Sequence, residues 1–497
     1  MNEKERVALV ETLKITGTAE PVRKIMIPKP NGGTRPLGIP TMFDRALQAL
    51  FVYALEPEFE AIFESESYGF RPGRSAIDAI KQIHICCSSS EKFVLDADIK
   101  KCFDCFDHEK LLDLVGHKGK VRKQIKAWLK SGNIFEGKFA KSDKGTPQGG
   151  VISPLLSNIM LNGLQKKIED WAETQKLSRP NGKLIKSLKE RRKAVHYVRY
   201  ADDLIIMHRE LTVVESCKKI LEEFLSERGL ELNSLKTRIL HTRKAYNGSK
   251  AGFEYLGFTI KHFDTIHRSA LNSKKEKVGY KLLIYPNENS IATHFYAVEK
   301  FLKKSRTAKQ ISIINKLNPI IVGWANYFKY SHFLTTTIAS KMDRILFLKL
   351  MTWAKRKLNV KTYRPGYKKF WRKIDKKLCF ALDIAESESY VKISSYQKSA
   401  KSVSINKYVK VLGESSVYDG NHDYWSKRAL APELKTKRRM VLMREQEGKC
   451  AICGVTFKPE DVIEIDHIIP RVKEGKHDVA NLQLLHAHCH DYKIDLI

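Results

Sequence analysis

Nowhere does the chain reach the ~18 consecutive apolar residues that cross a bilayer. Its opening, Met1-Asn2-Glu3-Lys4-Glu5-Arg6, is charged and leads into no signal-peptide core. Both absences argue against a membrane or secreted protein, so the expectation is a cytoplasmic setting, in a bacterial cell or an organelle matrix, with no membrane partner. Internal repeats and low-complexity blocks are also lacking, and the small cluster Cys86-Cys87-Ser88-Ser89-Ser90 reads as a loop. Cysteine is sparse: nine residues, an odd number, with three in the last fifty positions. That distribution argues for reduced thiols and a metal site rather than a disulfide framework.

Acidic residues are the scarce sign of charge. Against 89 Lys+Arg stand 56 Asp+Glu, leaving a formal net charge of +33. Such a field favours association with a polyanion through steering and counterion release. Between Phe301 and Lys377 there are 20 Lys/Arg and two acids, Asp343 and Asp375, so more than half of the excess sits in under a sixth of the chain. A length of 497 suggests about three domains, and 42% hydrophobic residues give material for real cores.

What is present is a concentrated set of carboxylates. Tyr200-Ala201-Asp202-Asp203 lies between two strand-like runs, Val195-His196-Tyr197-Val198 and Leu204-Ile205-Ile206-Met207. Adjacent carboxylates at a tight turn resist burial unless something pairs with them, and a solvated hairpin turn explains such a motif as readily as a metal site does. A third carboxylate lies upstream, where Phe93-Val94-Leu95-Asp96-Ala97-Asp98-Ile99 alternates as a strand before a turn and helix. Three carboxylates about one point can hold two magnesium ions ~3.5–4 Å apart. Asp96, Asp104 and Asp107 read as structural or solvated. Between the strands, Gly145-Thr146-Pro147-Gln148-Gly149-Gly150-Val151-Ile152-Ser153-Pro154-Leu155 predicts Ser153 as N-cap and Pro154 as first turn of an amphipathic helix running to about Trp171.

Seven stretches in order resemble the reverse transcriptase/maturase proteins encoded by group II introns. They are Ile27-Pro28-Lys29-Pro30-Asn31-Gly32-Gly33-Thr34-Arg35-Pro36-Leu37-Gly38-Ile39-Pro40, Ser67-Tyr68-Gly69-Phe70-Arg71-Pro72-Gly73-Arg74-Ser75, Ala97-Asp98-Ile99-Lys100, the Thr146-Pro147-Gln148-Gly149-Gly150 segment, Tyr200-Ala201-Asp202-Asp203, Leu232-Asn233-Ser234-Leu235-Lys236-Thr237 and Phe253-Glu254-Tyr255-Leu256-Gly257-Phe258. The resemblance implies that Asp98, Asp202 and Asp203 are the catalytic, magnesium-binding carboxylates of a palm, with Asp98 and Asp202 as direct ligands. It implies a dNTP site of Lys29 and Arg35 on the triphosphate, Gln148 at the nascent base pair and Phe103 as a gate against a ribose 2′-hydroxyl. Lys236 would supply a proton to pyrophosphate or position it.

From Ile291 to about Lys377 apolar residues recur at helical spacing, enough for three helices. Leu317-Asn318-Pro319-Ile320-Ile321-Val322-Gly323-Trp324-Ala325-Asn326-Tyr327-Phe328 resembles the family's thumb, or maturase domain; Trp324 reads as core. Ser387 to Leu434 is polar and weakly periodic, linker-like in sequence, and stands where the family carries a DNA-binding segment.

Near the end, Cys450-Ala451-Ile452-Cys453 and His486-Ala487-His488-Cys489 supply two ligand-x-x-ligand pairs, the four N/S donors of a closed zinc site. Ile465-Asp466-His467-Ile468-Ile469-Pro470, Asn481-Leu482 and Cys489-His490 resemble an HNH endonuclease, a ββα-metal fold. By that resemblance His467 is the general base, Asp466 and His490 hold a divalent ion, magnesium by expectation, Asn481 orients the loop carrying His467, and His488 is a surface residue. A second pair, Cys102 and Cys105, lacks partner ligands and is rejected as metal-binding.

The fold expected is thus an α+β multidomain chain: a right-hand polymerase with an antiparallel palm sheet and helical thumb, plus a small zinc-supported domain. The boundaries are fingers 1–90, palm 91–285, thumb/maturase 286–385, linker or DNA-binding segment 386–435 and HNH domain 436–497. The function expected is RNA-directed DNA polymerase, maturase and site-specific endonuclease in intron mobility by target-primed reverse transcription. Intron RNA, double-stranded target DNA and dNTPs are the partners, with a homodimer allowed. About two dozen residues precede Ile27, fewer than the family's template-lidding stretch, so weaker template grip or an upstream start is expected. Seven residues follow His490, implying a short last helix. Two rivals stand beside this reading: a splicing factor with a decayed polymerase, and a reverse transcriptase of retron, diversity-generating or CRISPR-linked type.

Overall fold

The computed structural model describes every residue except 1–2, 29–32, 180–181, 266–276, 375–376, 384–389, 400–403, 422–423, 426–427, 429–436, 458–460, 471–473, 477 and 495–497. It is a mixed α+β structure, and among its described residues no helix is long and apolar enough to cross a membrane.

The central sheet has four antiparallel strands in the order His196–Tyr200, Asp203–His208, Phe93–Asp98, Arg238–His241. Strand side chains alternate between faces, and here the alternation sorts two cores. Leu95, Ala97, Leu204 and Ile206 turn to one face, which is covered by helices Met42–Glu60, His108–Val115, Ser153–Leu161, Leu164–Thr174 and Leu211–Ser226. Val94, Ile205 and Met207 turn to the other face. There they meet helix Ala76–Cys87, the three-stranded sheet Phe253–Tyr255, Phe258–Asp264 and Tyr280–Pro286, and the helices beyond it. The register Val94↔Met207, Asp96↔Ile205, Asp98↔Asp203 carries that second face from buried hydrocarbon at one end to carboxylates at the other.

A second sheet projects beside this floor. Strands Thr34–Ile39, Val22–Pro28, Asn133–Phe135 and Lys138–Ala140 pair in that order, and Val22–Pro28 runs parallel to Asn133–Phe135. Two helix starts beside this sheet are capped by side chains. The Thr41 hydroxyl accepts from Asp44 N, and Ser75 with Asp78 closes a reciprocal capping box.

Several local expectations change. Ser153 is the first residue inside its helix, and its Oγ bonds Thr146 Oγ1 at 2.8 Å and Pro147 O at 2.9 Å, tying down the glycine-rich loop instead of capping. That helix stops at Leu161, not near Trp171. Asn162 and Gly163, the latter at φ +98°, turn the chain into a second helix, Leu164–Thr174. Cys86 and Cys87 are not loop: they close helix Ala76–Cys87 as small buried hydrophobes.

Three long helices follow, Glu288–Lys304, Gln310–Phe328 and Ile338–Lys357, as the spacing predicts. The basic stretch then changes period. After the short helix Arg364–Phe370 it forms strands Trp371–Ile374 and Lys377–Asp383, joined by Tyr390–Lys392. Trp371 and Phe380 pair across this sheet against Trp353. Trp324 is packed among Phe328, Phe333, His294 and Tyr396, a core position.

The linker-like reading of 386–435 gives way for its described residues. Tyr396, Ile405 and Val411 are buried in the same core as the long helices, too few and too widely spaced to give a periodic signal in sequence. Past it, helix Lys437–Glu445, the antiparallel strands Ile463–His467 and Leu482–His486, and helix Ala487–Ile494 enclose a small core of Leu442, Met443, Phe457, Leu482, Leu484 and Leu485.

Candidate functional site

Asp98 ends its strand directly opposite Asp203, which begins the neighbouring strand. Pairs opposed in a ladder share a face, so both carboxylates look into the same cleft, with Asp202 in the two-residue turn between Tyr200 and Asp203. Lys236 Nζ lies 3.1 and 3.3 Å from the two Asp98 oxygens, and Asn233 Nδ2 donates to Asp98 Oδ2 at 3.0 Å. Asp203 is open along one side, yet it is pushed up to about 6. Desolvation contributes most, then repulsion from Asp202, Asp96 and Asp98, with Lys236 pulling the other way. Asp96, one step deeper on the same face, pairs with Arg238 at 3.5 Å. Asp98, Asp202 and Asp203 share the cleft floor without being drawn into a tight ligand cluster: among the described residues, the one set whose ligand atoms all lie within 4.8 Å is at the other end of the chain.

The turn is held from beneath. Ala201 adopts φ +57°, which costs a residue with a Cβ. Buried Arg199 donates through Nη1 to Ala201 O at 3.2 Å and to Asn158 Oδ1 at 3.0 Å, and Asn158 Nδ2 donates to Gly69 O at 2.9 Å. A Cβ on Gly69 would stand 2.3 Å from Ala201 N, so only glycine lets the two backbones meet. Tyr255 Oη donates to Asp203 O at 3.1 Å.

One wall of the cleft comes from the glycine-rich loop. Thr146 N donates to Phe103 O at 2.7 Å and Gly145 N to Phe106 O at 2.8 Å, which fixes the loop to the short helix Cys102–Cys105. Phe103 is buried, with its ring edge-on to Phe70 at 6.4 Å. Gln148 Oε1 accepts from Arg35 Nε at 2.8 Å, while its Nε2 stands 3.4 Å from Asp104 Oδ1. Arg35, Gln148 and Asp104 thus link the projecting hairpin to the floor. Lys29 lies outside the described residues.

The cysteine-histidine cluster closes tightly. Ligand atoms of Cys450, Cys453, His486 and Cys489 all fall within 4.8 Å, with Cys453 Sγ 3.4 Å from His486 Nδ1. A tetrahedral zinc with these donors has ligand edges of about 3.5 Å, so the donor set fits that ion. The other imidazole nitrogen, His486 Nε2, faces Asp461 Oδ2 at 3.3 Å, the outer partner that orients a metal-bound histidine. Burial would raise the Cys450 thiol, but backbone N–H groups of Cys453, His486 and Ile452 bring it down to about 6.

Beside this cluster, His490 Nδ1 pairs with Glu464 Oε2 at 2.7 Å, and its Nε2 lies 3.6 Å from Asp466 Oδ1. Against the opposing effect of burial, Lys493 and Gln483 hold Asp466 below the ordinary carboxylate range, with Lys493 Nζ 2.6 Å from Oδ2. His467 sits at the end of the same strand as Asp466. The Asn481 amide donates to Ile469 O and Lys476 O at 3.0 and 2.8 Å and accepts from Ile469 N at 2.9 Å, clasping the loop that follows His467. His488 is exposed and stacks on His486. Sequence reasoning missed Arg199, Asn158, Asn233, Asp461, Glu464 and Lys493. Of these only Asn233 lay inside a stretch already singled out; the others meet their partners through the fold.

Three family models match the chain in order: reverse transcriptase (RNA-dependent DNA polymerase) over residues 27–260, group II intron maturase-specific domain over 296–371 and HNH endonuclease over 450–495. Protein YkfC of Escherichia coli (strain K12) is 34% identical over 263 residues, 48% of this chain and 66% of that protein. Group II intron-encoded protein LtrA of Lactococcus lactis subsp. cremoris is 30% identical over 392 residues, 66% of this chain and 64% of that protein. A retron reverse transcriptase of Myxococcus xanthus is 26% identical over 223 residues, 43% of this chain and 46% of that protein. The chain therefore spans just under two thirds of the length of the first two relatives, 66% and 64%. In this order, then, the chain matches a reverse transcriptase domain, a group II intron maturase-specific domain and an HNH endonuclease domain, and it is similar over 66% of its length to a group II intron-encoded protein.

Proposed function

We propose that this chain copies RNA into DNA, assists splicing of its host intron RNA and cleaves target DNA, acting in intron mobility by target-primed reverse transcription. The observation that carries the polymerase reading is the Asp98–Asp203 register with Asp202 at the intervening turn. In this reading the fold is a right hand: a fingers hairpin, the central sheet as palm, and the three long helices as thumb, followed by the nuclease.

Magnesium held by Asp98, Asp202 and Asp203 would supply Lewis acidity for attack of a primer 3′-hydroxyl on the α-phosphate of a dNTP. Arg35, with Lys29, binds the triphosphate. Gln148, already anchored to Arg35, holds the nascent base pair, and the Phe103 ring excludes a ribose 2′-hydroxyl. Lys236 passes from Asp98 to the departing pyrophosphate. In the nuclease, His467 takes the proton from the attacking water, Asp466 and His490 would hold a divalent ion that supplies Lewis acidity, and Asn481 fixes the loop. Zinc on Cys450, Cys453, His486 and Cys489 is structural. Intron RNA, double-stranded DNA and dNTPs are the partners, in a cytoplasmic or organelle-matrix setting, and a homodimer is compatible with this scheme.

Primer extension on an RNA template and nicking of duplex DNA test the two chemistries separately. Asp202→Ala should abolish extension with RNA binding intact, and His467→Ala should abolish nicking with extension intact. Magnesium-dependent extension surviving in Asp202→Ala would refute the polymerase site, and nicking surviving in His467→Ala would refute the nuclease base.

A further inference from the structure

The described residues between Ser404 and Arg428 strap across the outside of the loop that props the catalytic turn. Arg428 Nη2 lies 2.6 and 2.7 Å from the Asp78 carboxylate oxygens, a pair shut away from water, with Asp78 0% and Arg428 9% exposed. Val411 N donates to Asp78 Oδ1 at 2.8 Å. Lys410 Nζ reaches both Glu66 oxygens and Tyr68 Oη, each at 3.1 Å. Arg74 extends in the reverse direction, donating to Ser65 O and Gly413 O at 2.7 Å each.

These fixings end on the backbone that supports Asp202 and Asp203. Arg199 N donates to Glu66 O and Tyr68 N to Arg199 O, each at 2.9 Å, so residues 66–68 pair with the strand leading into the turn. Gly69, the next residue, abuts Ala201. A chain of direct contacts thus runs from Lys410 through Glu66 and Tyr68 to Arg199 and the turn. A strap needed only for folding would be served by its apolar plugs, Ile405 and Val411. Instead its charged groups converge on one loop, and partly buried pairs resist screening by salt.

Resting on the polymerase reading above, we propose that Lys410 and Arg428 are positioning residues for nucleotide addition: the segment that joins the basic helices to the HNH domain clamps the 65–74 loop and thereby sets the position of the Asp202–Asp203 turn. Neither residue touches substrate. Both act through the loop.

The test uses the full chain with Lys410→Met, Lys410→Arg and Tyr68→Phe, the last removing only the hydroxyl that bridges Lys410 and Glu66. Single-nucleotide incorporation, DNA nicking and melting temperature are measured on each. Lys410→Met should lower kcat about ten- to a hundredfold, the range for a small misplacement of catalytic groups, with KM for dNTP within about twofold. Nicking and melting should stay near wild type. Tyr68→Phe should lower kcat less, and Lys410→Arg should recover it to within about threefold. The proposal is overturned if Lys410→Met keeps kcat within about twofold of wild type. It is equally overturned by a loss that arginine does not rescue and that nicking shares. Failure of the wild-type chain to extend any primer would instead sink the polymerase reading and this proposal with it.

Discussion

Lys236 covers Asp98, its ammonium 3.1 and 3.3 Å from the two carboxylate oxygens. Lys493 stands in the same relation to Asp466 in the C-terminal domain, 2.6 Å from Oδ2. Asp98 and Asp466, one carboxylate from each proposed metal site, therefore each carry a counter-charge that a metal must displace or share. With Lys236 65% and Asp98 33% exposed, the pair is worth little, on the order of 0.2–1 kcal/mol.

The first prediction follows from that competition. Lys236→Met should tighten manganese binding in the absence of nucleotide about two- to fivefold, the range such a weak pair allows, while raising KM for dNTP. Spin-label-free electron paramagnetic titration of Mn²⁺ and steady-state extension read the two effects independently. Weaker manganese binding in the variant would show that Lys236 is no competitor.

His262 governs a pH effect remote from either site. It is buried, its Nε2 bonds Cys87 O at 2.9 Å, and its Nδ1 has no hydrogen-bond partner. Burial brings it down to about 4 from an ordinary 6.5. The folded chain thus binds fewer protons here than the unfolded one, so this stabilisation is complete above pH 6.5 and is lost as pH falls toward 4. The loss is about 3 kcal/mol at most. His262→Gln, which keeps a donor for Cys87 O and cannot titrate, should flatten the fall in urea midpoint between pH 7 and pH 5. An unchanged slope would place the acid sensitivity elsewhere, for instance at His84, His208 or His294, each also near 4 through burial.

The cluster of Cys450, Cys453, His486 and Cys489 yields a third. One zinc per chain should be found by metal analysis, and chelation or Cys453→Ser should abolish nicking while leaving primer extension intact. The three shared core clusters are separate, with Leu442, Met443 and Phe457 packing only within the C-terminal one, and structural zinc sites carry much of the folding energy of small domains. Loss of extension on chelation by a zinc-selective agent, at constant magnesium, would contradict that independence.

How much of this was legible in the sequence depended on whether a signal is local. That Asp98 and Asp203 come together beside Asp202 was legible from strand alternation and a turn, and that Cys450, Cys453, His486 and Cys489 cluster was legible from their spacing. Ser153 misled because a Ser-Pro pair fits a cap equally well one residue outside a helix; its hydroxyl was claimed instead by Thr146 and Pro147, a contact that exists only once the loop folds back. The strap was illegible for a deeper reason. Lys410 and Arg428 look like surface charge until Glu66 and Asp78, more than three hundred residues earlier, are brought beneath them. Arg199 was hidden likewise: a strand arginine is normally solvated, and here it is 1% exposed because Asn158 and the turn carbonyl receive it.

Gly69 gives the sharpest remaining prediction, because the atoms in its way are backbone and cannot swing aside. A methyl group there would sit 2.3 Å from Ala201 N and 2.8 Å from Tyr200 C. Either the loop or the turn must move. The loop is tied by Arg199–Glu66 and Tyr68–Arg199 backbone bonds, so the displacement falls on Ala201, already at φ +57°, and carries Asp202 with it. Gly69→Ala should therefore lower the rate of nucleotide incorporation by about a hundredfold, the cost of misplacing a catalytic group by an ångström. Nicking by the HNH domain should be unchanged, since among the described residues no hydrogen bond or ion pair joins that domain to the loop. Incorporation within about threefold of wild type would mean that the turn tolerates the shift and that its position is set by something other than this contact.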